Sequence, residues 1–198
     1  MKQQIEIQDD HNAPTTDILK KELKRERYKR RFRRLLRSTV NALIVVAAVA
    51  ALIATLVLPV LQITGTSMEP CLNDGEIVLL VKTDNLKTGD LCAFYYSNKI
   101  LIKRVIAVPG DYIWIESDGT VELNGEVLDE PYISEKALGE CDVEFPYQVP
   151  ENNYFVMGDK RESSIDSRSS VIGCVAEDQM IGKIFCKVWP LSEFTFIN

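Results

Sequence analysis

Histidine is almost missing from this chain: His11 is the only one in 198 residues. An enzyme that activates serine or cysteine with imidazole, or binds zinc through His-Glu-x-x-His, must draw on that residue or do without it. Cysteine is present without a binding pattern. Cys71, Cys92, Cys141, Cys174 and Cys186 are odd in number and include no Cys-x-x-Cys, so neither a disulfide framework nor a zinc site is indicated. There is no internal repeat and no low-complexity linker. One stretch also lacks charge altogether. From Val40 to Leu61 the chain reads VNALIVVAAVAALIATLVLPVL, broken only by Asn41, Thr55 and Pro59. As a helix this run is about 33 Å long, against roughly 30 Å of bilayer hydrocarbon.

The charges that are present divide unevenly. Residues 1–61 carry 12 Lys/Arg against 6 Asp/Glu, and residues 62–198 carry 11 against 23. The basic excess is concentrated in KKELKRERYKRRFRRLLR, Lys20 to Arg37. Alone, that block would fit a nucleic-acid arm or a solvated helix face. Placed directly before a charge-free run, with few basic residues close behind it, it predicts a cytoplasmic N-terminus. The expected organisation has three parts: a basic cytoplasmic segment over 1–38, partly helical or disordered; a single transmembrane helix over 39–61; and an extracytoplasmic domain over 62–198. A buried core helix is a poor alternative for an all-round apolar run of this length. A cleaved secretory signal is also disfavoured, because the n-region is too long and Ala48-Val49-Ala50 falls inside the run rather than after it. Thr16-Asp17 followed by Ile18, Leu19 and Leu23 can begin a helix before the span.

From Ile77 onward short runs of Val, Ile, Phe and Tyr alternate with the turn signals NDG (73–75), TGD (88–90), PGD (109–111), SDG (117–119) and NG (124–125). That spacing predicts a mainly β, antiparallel domain. TVELNGEVLDE reads as a hairpin about Asn124-Gly125, where positive φ costs little. IVLLVK (77–82) and KILIKRVIAVPGD (99–111) read as central strands.

Ser67, in ITGTSMEP, follows shortly after the span. His11 lies before it, so no imidazole can reach Ser67 within one chain, and elimination leaves lysine or carboxylates as the base. Lys103 stands out because ILIKRVIAV places it between Leu101 and Val105 on one strand face. Burial disfavours an ammonium, and a shift of about 3 units from ~10.4 would leave a neutral, basic amine near pH 7. The plainer alternatives are a snorkelling strand-end lysine and a turn serine.

Three ordered segments, Ser67-Met68-Glu69-Pro70, Lys103 to Asp111 (KRVIAVPGD) and Gly158 to Arg168 (GDKRESSIDSR), resemble the signature segments of type I signal peptidases. The resemblance covers nearly everything from about residue 40 to the end. It implies a membrane-anchored Ser/Lys endopeptidase that removes signal peptides from exported precursors, with a mostly antiparallel protease core and a short inserted portion at about 118–150. On that resemblance Ser67 corresponds to the nucleophile, Lys103 to the general base and Ser164 to the serine that orients the amine. Asp166 and Arg168 match a buttressing ion pair, while Asp159 and Arg161 match residues that hold the loop. Met68 shapes the turn and can pack beneath it; Ile63 and Ile102 are candidates for the shallow apolar pockets that Ala-x-Ala signal ends require. No cofactor or metal is implied. The implied partners are signal peptides and the lipid bilayer, not nucleic acid, and the implied place is the cell membrane.

The chain departs from the family pattern at a few positions. Gly65 stands where some members carry a serine that helps bind the oxyanion, which leaves the second donor open. Lys160 and Ser163 each replace an asparagine. Cys71 replaces a common threonine, and small apolar packing is the expected role for its thiol. Two readings from other classes remain: a non-catalytic anchored β module, and a cytoplasmic nucleic-acid binder using Lys20 to Arg37, which predicts salt-sensitive binding. A self-cleaving Ser/Lys repressor would not carry a span between a basic arm and the dyad.

Overall fold

The computed structural model describes residues 16–57, 59–83 and 85–197. His11 and the rest of 1–15 lie outside them. The chain divides into two units after Ile53.

Most of helix α1 makes up the first unit; the helix spans Thr16–Val57, 42 residues that run from the basic block into the apolar run without a break. The stretch Leu19–Leu52 contains an 18-residue window of mean hydropathy 2.0, none of it buried against protein. The helix is shorter at its far end than hydropathy alone predicted. Pro59 has no N–H to donate and disfavours helix in the residue before it. Val60 and Leu61, counted with the span in the sequence, instead belong to a strand. Apolar content cannot separate the two fates, since Leu61 packs on the core of the second unit.

Among the described residues that unit carries twelve strands: β1 Val60–Gln62, β2 Ile77–Val81, β3 Leu91–Tyr96, β4 Lys99–Ala107, β5 Tyr112–Ile115, β6 Val121–Leu123, β7 Glu126–Val127, β8 Tyr147–Gln148, β9 Asn153–Met157, β10 Val175–Ala176, β11 Met180–Trp189 and β12 Thr195–Phe196. The larger sheet has the order β1-β2-β11-β3-β4-β9-β10, with β12 also on β11, and every pairing is antiparallel. Strands β2 and β4 are interior, as their continuous apolar character requires. The smaller sheet, β7-β6-β5-β8, begins at Tyr112, earlier than the inserted portion expected from about 118. The switch is the PGD turn. Gly110 takes φ +87° and the Asp111 carboxylate accepts the Val108 N–H at 2.9 Å, which redirects the chain out of the first sheet. The hairpin turn at Asn124-Gly125 has positive φ at both residues.

Three buried clusters fill the unit. The first gathers Ile63, Met68, Leu72, Val78, Leu80 and Ile184 under the turn that carries Ser67. The second lies beneath the smaller sheet and the third beneath β3, β4 and β9.

Candidate active site

The loop from β1 to β2 presents Ser67, and it is closed at its base. Ile63 N–H donates to the Glu76 carbonyl at 2.8 Å and Gly75 N–H to the Ile63 carbonyl at 3.0 Å. Asp74 accepts the Gly65 N–H at 2.7 Å, where Gly65 sits at φ +94°. Met68 and Leu72 plug the loop into the core. A further buried pair fastens the start of β2: Lys187 Nζ reaches the Glu76 carboxylate at 2.8 Å, and the same carboxylate accepts from Asn73. Ser67 is half-buried at the rim, and neither its N–H nor its hydroxyl donates a hydrogen bond among the described residues.

Lys103 projects from β4 and is 4% exposed. Its Nζ donates to Ser164 Oγ at 2.8 Å. Among the described residues it makes no hydrogen bond to Ser67. Burial pulls the amine below its ordinary value, the Asp166 carboxylate pulls it back up, and the Arg168 guanidinium pushes it down again. Ser67 and Lys103 line one cleft of about 470 Å³, together with Ile63, Met68 and Ile102. The cleft is bordered by two unpaired strand edges. Among the described residues β1 pairs only with β2, and residues 99–103 of β4 pair only with β3, because β9 joins β4 from Arg104 onward.

The loop after β9 holds the amine from behind. Asp166 takes Arg168 Nε at 2.8 Å and Nη2 at 2.9 Å, and also accepts the Gly158 N–H at 2.9 Å. Arg168 further donates to the carbonyls of Leu138 at 2.6 Å and Arg161 at 2.9 Å. Lys160 N–H donates to the Ser67 carbonyl at 3.1 Å, which ties this loop to the turn that carries Ser67. A Cβ on Gly158 would collide with the Ser164 side chain and lie 2.7 Å from the Ser67 carbonyl oxygen. Gly158→Ala is therefore expected to push Ser164 and Ser67 apart and lower the rate of the site about 10²-fold, the scale of an ångström misplacement. A steady-state rate within threefold of wild type would contradict that contact.

The side chains of Asp159 and Arg161 are not paired with each other, although the Arg161 N–H donates to the Asp159 carbonyl at 3.1 Å. Asp159 receives Arg104 Nε at 2.8 Å and Nη2 at 2.6 Å, while Arg161 grips Glu130 through both terminal nitrogens. Tyr132 joins the two pairs, since its hydroxyl donates to Glu130 at 2.9 Å and its ring lies 3.8 Å below the Arg104 guanidinium. Sequence reasoning missed Arg104, Glu130, Tyr132 and Gly158. Arg104 stood next to Lys103 on the opposite strand face; nothing in the spacing pointed to Glu130 or Tyr132, which come from the segment between β7 and β8. Lys160, the replacement for an asparagine, pairs with Glu69 at 2.9 Å. Cys71 packs on the first core cluster and burial pushes its thiol up. Among the described residues all five cysteines are free, and no group of His, Cys, Asp or Glu is arranged to hold a metal.

Residues 36–189 match the family profile described as signal peptidase, peptidase S26. Signal peptidase IB of Staphylococcus aureus (strain MRSA252) is 38% identical over 154 residues, 68% of this chain and 79% of that protein. Signal peptidase I of Bacillus licheniformis is 36% identical over 144 residues, 66% of this chain and 76% of that one. Among solved structures, a signal peptidase I from Enterococcus faecalis V583 is 28% identical with a TM-score of 0.41, covering 50% of this chain and 96% of that one.

Proposed function

The chain belongs to the signal peptidase family, peptidase S26, and from that premise we propose that Ser67 and Lys103 are the dyad with which it cuts signal peptides from exported precursors. The observation that carries this is a buried amine, held by Ser164, in the wall of the cleft that Ser67 lines. Ser164 takes one N–H of neutral Lys103, which leaves the nitrogen lone pair for the Ser67 proton. The alkoxide attacks the scissile carbonyl, and the Ser67 N–H is open to receive the oxyanion. The Gly65 N–H is not, because Asp74 holds it. Protonated Lys103 gives its proton to the leaving amine, then as free base takes one from the water that hydrolyses the ester. Asp159, Arg161, Asp166 and Arg168 are positioning residues.

The free edges of β1 and β4 suit an extended peptide entering between them as an added strand. Ile63, Met68 and Ile102 then offer it shallow apolar contacts, which fits small side chains. The proposed topology keeps 1–38 cytoplasmic and the unit from Val60 onward extracytoplasmic, with the bilayer as partner. Exposed apolar side chains favour lipid contact by that unit: the Phe185 and Phe194 ring centroids each lie 5.3 Å from that of Phe196, and Trp189 and Leu191 are also exposed. The test is reconstitution of the full chain in liposomes with a membrane-inserted precursor, followed by sequencing of the new N-terminus. Cleavage just after an Ala-x-Ala motif is the expected result; no cleavage, or cleavage elsewhere, would refute the assignment.

A further inference from the structure

The Ser67–Pro70 turn has a second cleft on its other flank. Where Ser67 and Met68 line the first, Glu69 and Pro70 line the second, a space of about 330 Å³ that also includes Lys160, Glu135 and Glu162. It begins two residues past the nucleophile, at Glu69, and is joined to it through the Lys160 to Ser67 backbone hydrogen bond. A peptide whose acyl side lies between the edges of β1 and β4 must leave past Ser67 on the amine side. At about 3.3 Å per residue, the second to fourth residues after the scissile bond travel roughly 7–13 Å from it, a reach long enough to pass the turn residues Glu69 and Pro70 that line this cleft.

The charge of the cleft is set by what remains unpaired. Lys160 is committed to Glu69, Asp159 to Arg104 and Arg161 to Glu130. Glu135 and Glu162 are exposed and have no ion-pair partner among the described residues. We propose that this cleft receives the mature side of the precursor, and that Glu135 and Glu162 favour cationic and disfavour anionic side chains at the second to fourth positions after the cut. The inference rests on Ser67 being the nucleophile.

The experiment uses the full chain in detergent with quenched fluorescent peptides that share one Ala-x-Ala acyl side. They carry Lys, Gln or Asp at the second to fourth positions after the cut. Wild type is expected to cleave the Lys peptide with higher kcat/KM than the Asp peptide, with discrimination that shrinks as salt rises. Glu135→Lys with Glu162→Lys should move the Lys-to-Asp ratio about threefold to tenfold toward Asp, and Glu135→Gln with Glu162→Gln should bring it near one. Cleavage of the Gln peptide shows that each variant is folded and that the dyad works. With that cleavage intact, an unchanged ratio in both double variants overturns the cleft assignment alone. Wild type that cleaves neither these peptides nor a membrane-inserted precursor overturns both readings.

Discussion

Ser67→Ala and Lys103→Ala are each expected to lose about 10⁴- to 10⁶-fold in kcat on a precursor substrate while keeping the fold, the scale seen when one member of a nucleophile–base unit is removed. The two losses should not add, because neither group works without the other. Lys103 also predicts the shape of the pH profile. Its folded pKa is held below 10.5, first by burial, and in the proposed mechanism the active form is the neutral amine. kcat/KM should therefore climb with pH and level off at a point below 10.5. The same shift has a sign for stability. Between the folded pKa and the unfolded one the unfolded chain binds more protons, so stability rises with pH across that window. Below the folded pKa the cost of charging a buried amine is present in full; above the unfolded pKa it is gone. Lys103→Met, which keeps the bulk without the charge, should melt higher than wild type at neutral pH and flatten that dependence. An activity limb centred at or above 10.5, or full activity in Lys103→Ala, would remove Lys103 from the mechanism.

Asp166→Ala should cost about 3–5 kcal/mol, the range for leaving one member of a buried ion pair alone. Asp166 and Arg168 are both fully buried, and the carboxylate satisfies two guanidinium nitrogens and the Gly158 N–H together. Its loss strands a buried charge and frees the backbone of the glycine that abuts Ser164 and Ser67. Denaturant unfolding of the full chain in detergent, followed by tryptophan fluorescence, measures this directly, and activity should fall alongside. A change below about 1 kcal/mol would show that the pair is not the brace described. By contrast, the Lys160–Glu69 pair is partly exposed, and pairs of that kind contribute only about 0–1 kcal/mol.

Ser67 and Lys103 were legible as a candidate pair, and the structure puts both on one cleft, because two local signals coincided: a lysine where a strand ought to be dry, and a serine with no histidine anywhere after it in the chain. The partners of Asp159 and Arg161 were not, since charge in a loop says nothing about which distant carboxylate or guanidinium it meets. Arg161 finds Glu130 in the inserted segment, and Arg104 is sandwiched between Asp159 and Tyr132. The helix end was misplaced for a similar reason, since Val60 and Leu61 are as apolar as the residues before them and only pairing with β2 makes them strand.

Composition and periodicity by themselves determined the apolar helix, the antiparallel β character and the Asn124-Gly125 hairpin, because each depends on short-range properties: side-chain transfer free energy and backbone φ preference. Only the tertiary structure decided where Lys103 sends its side-chain nitrogen, that Gly158 must lack a side chain, and that a second cleft, with two carboxylates unpaired among the described residues, adjoins the turn that carries Ser67. Those depend on contacts between segments as far apart as Lys103 and Ser164, where burial and charge are created by the packing itself.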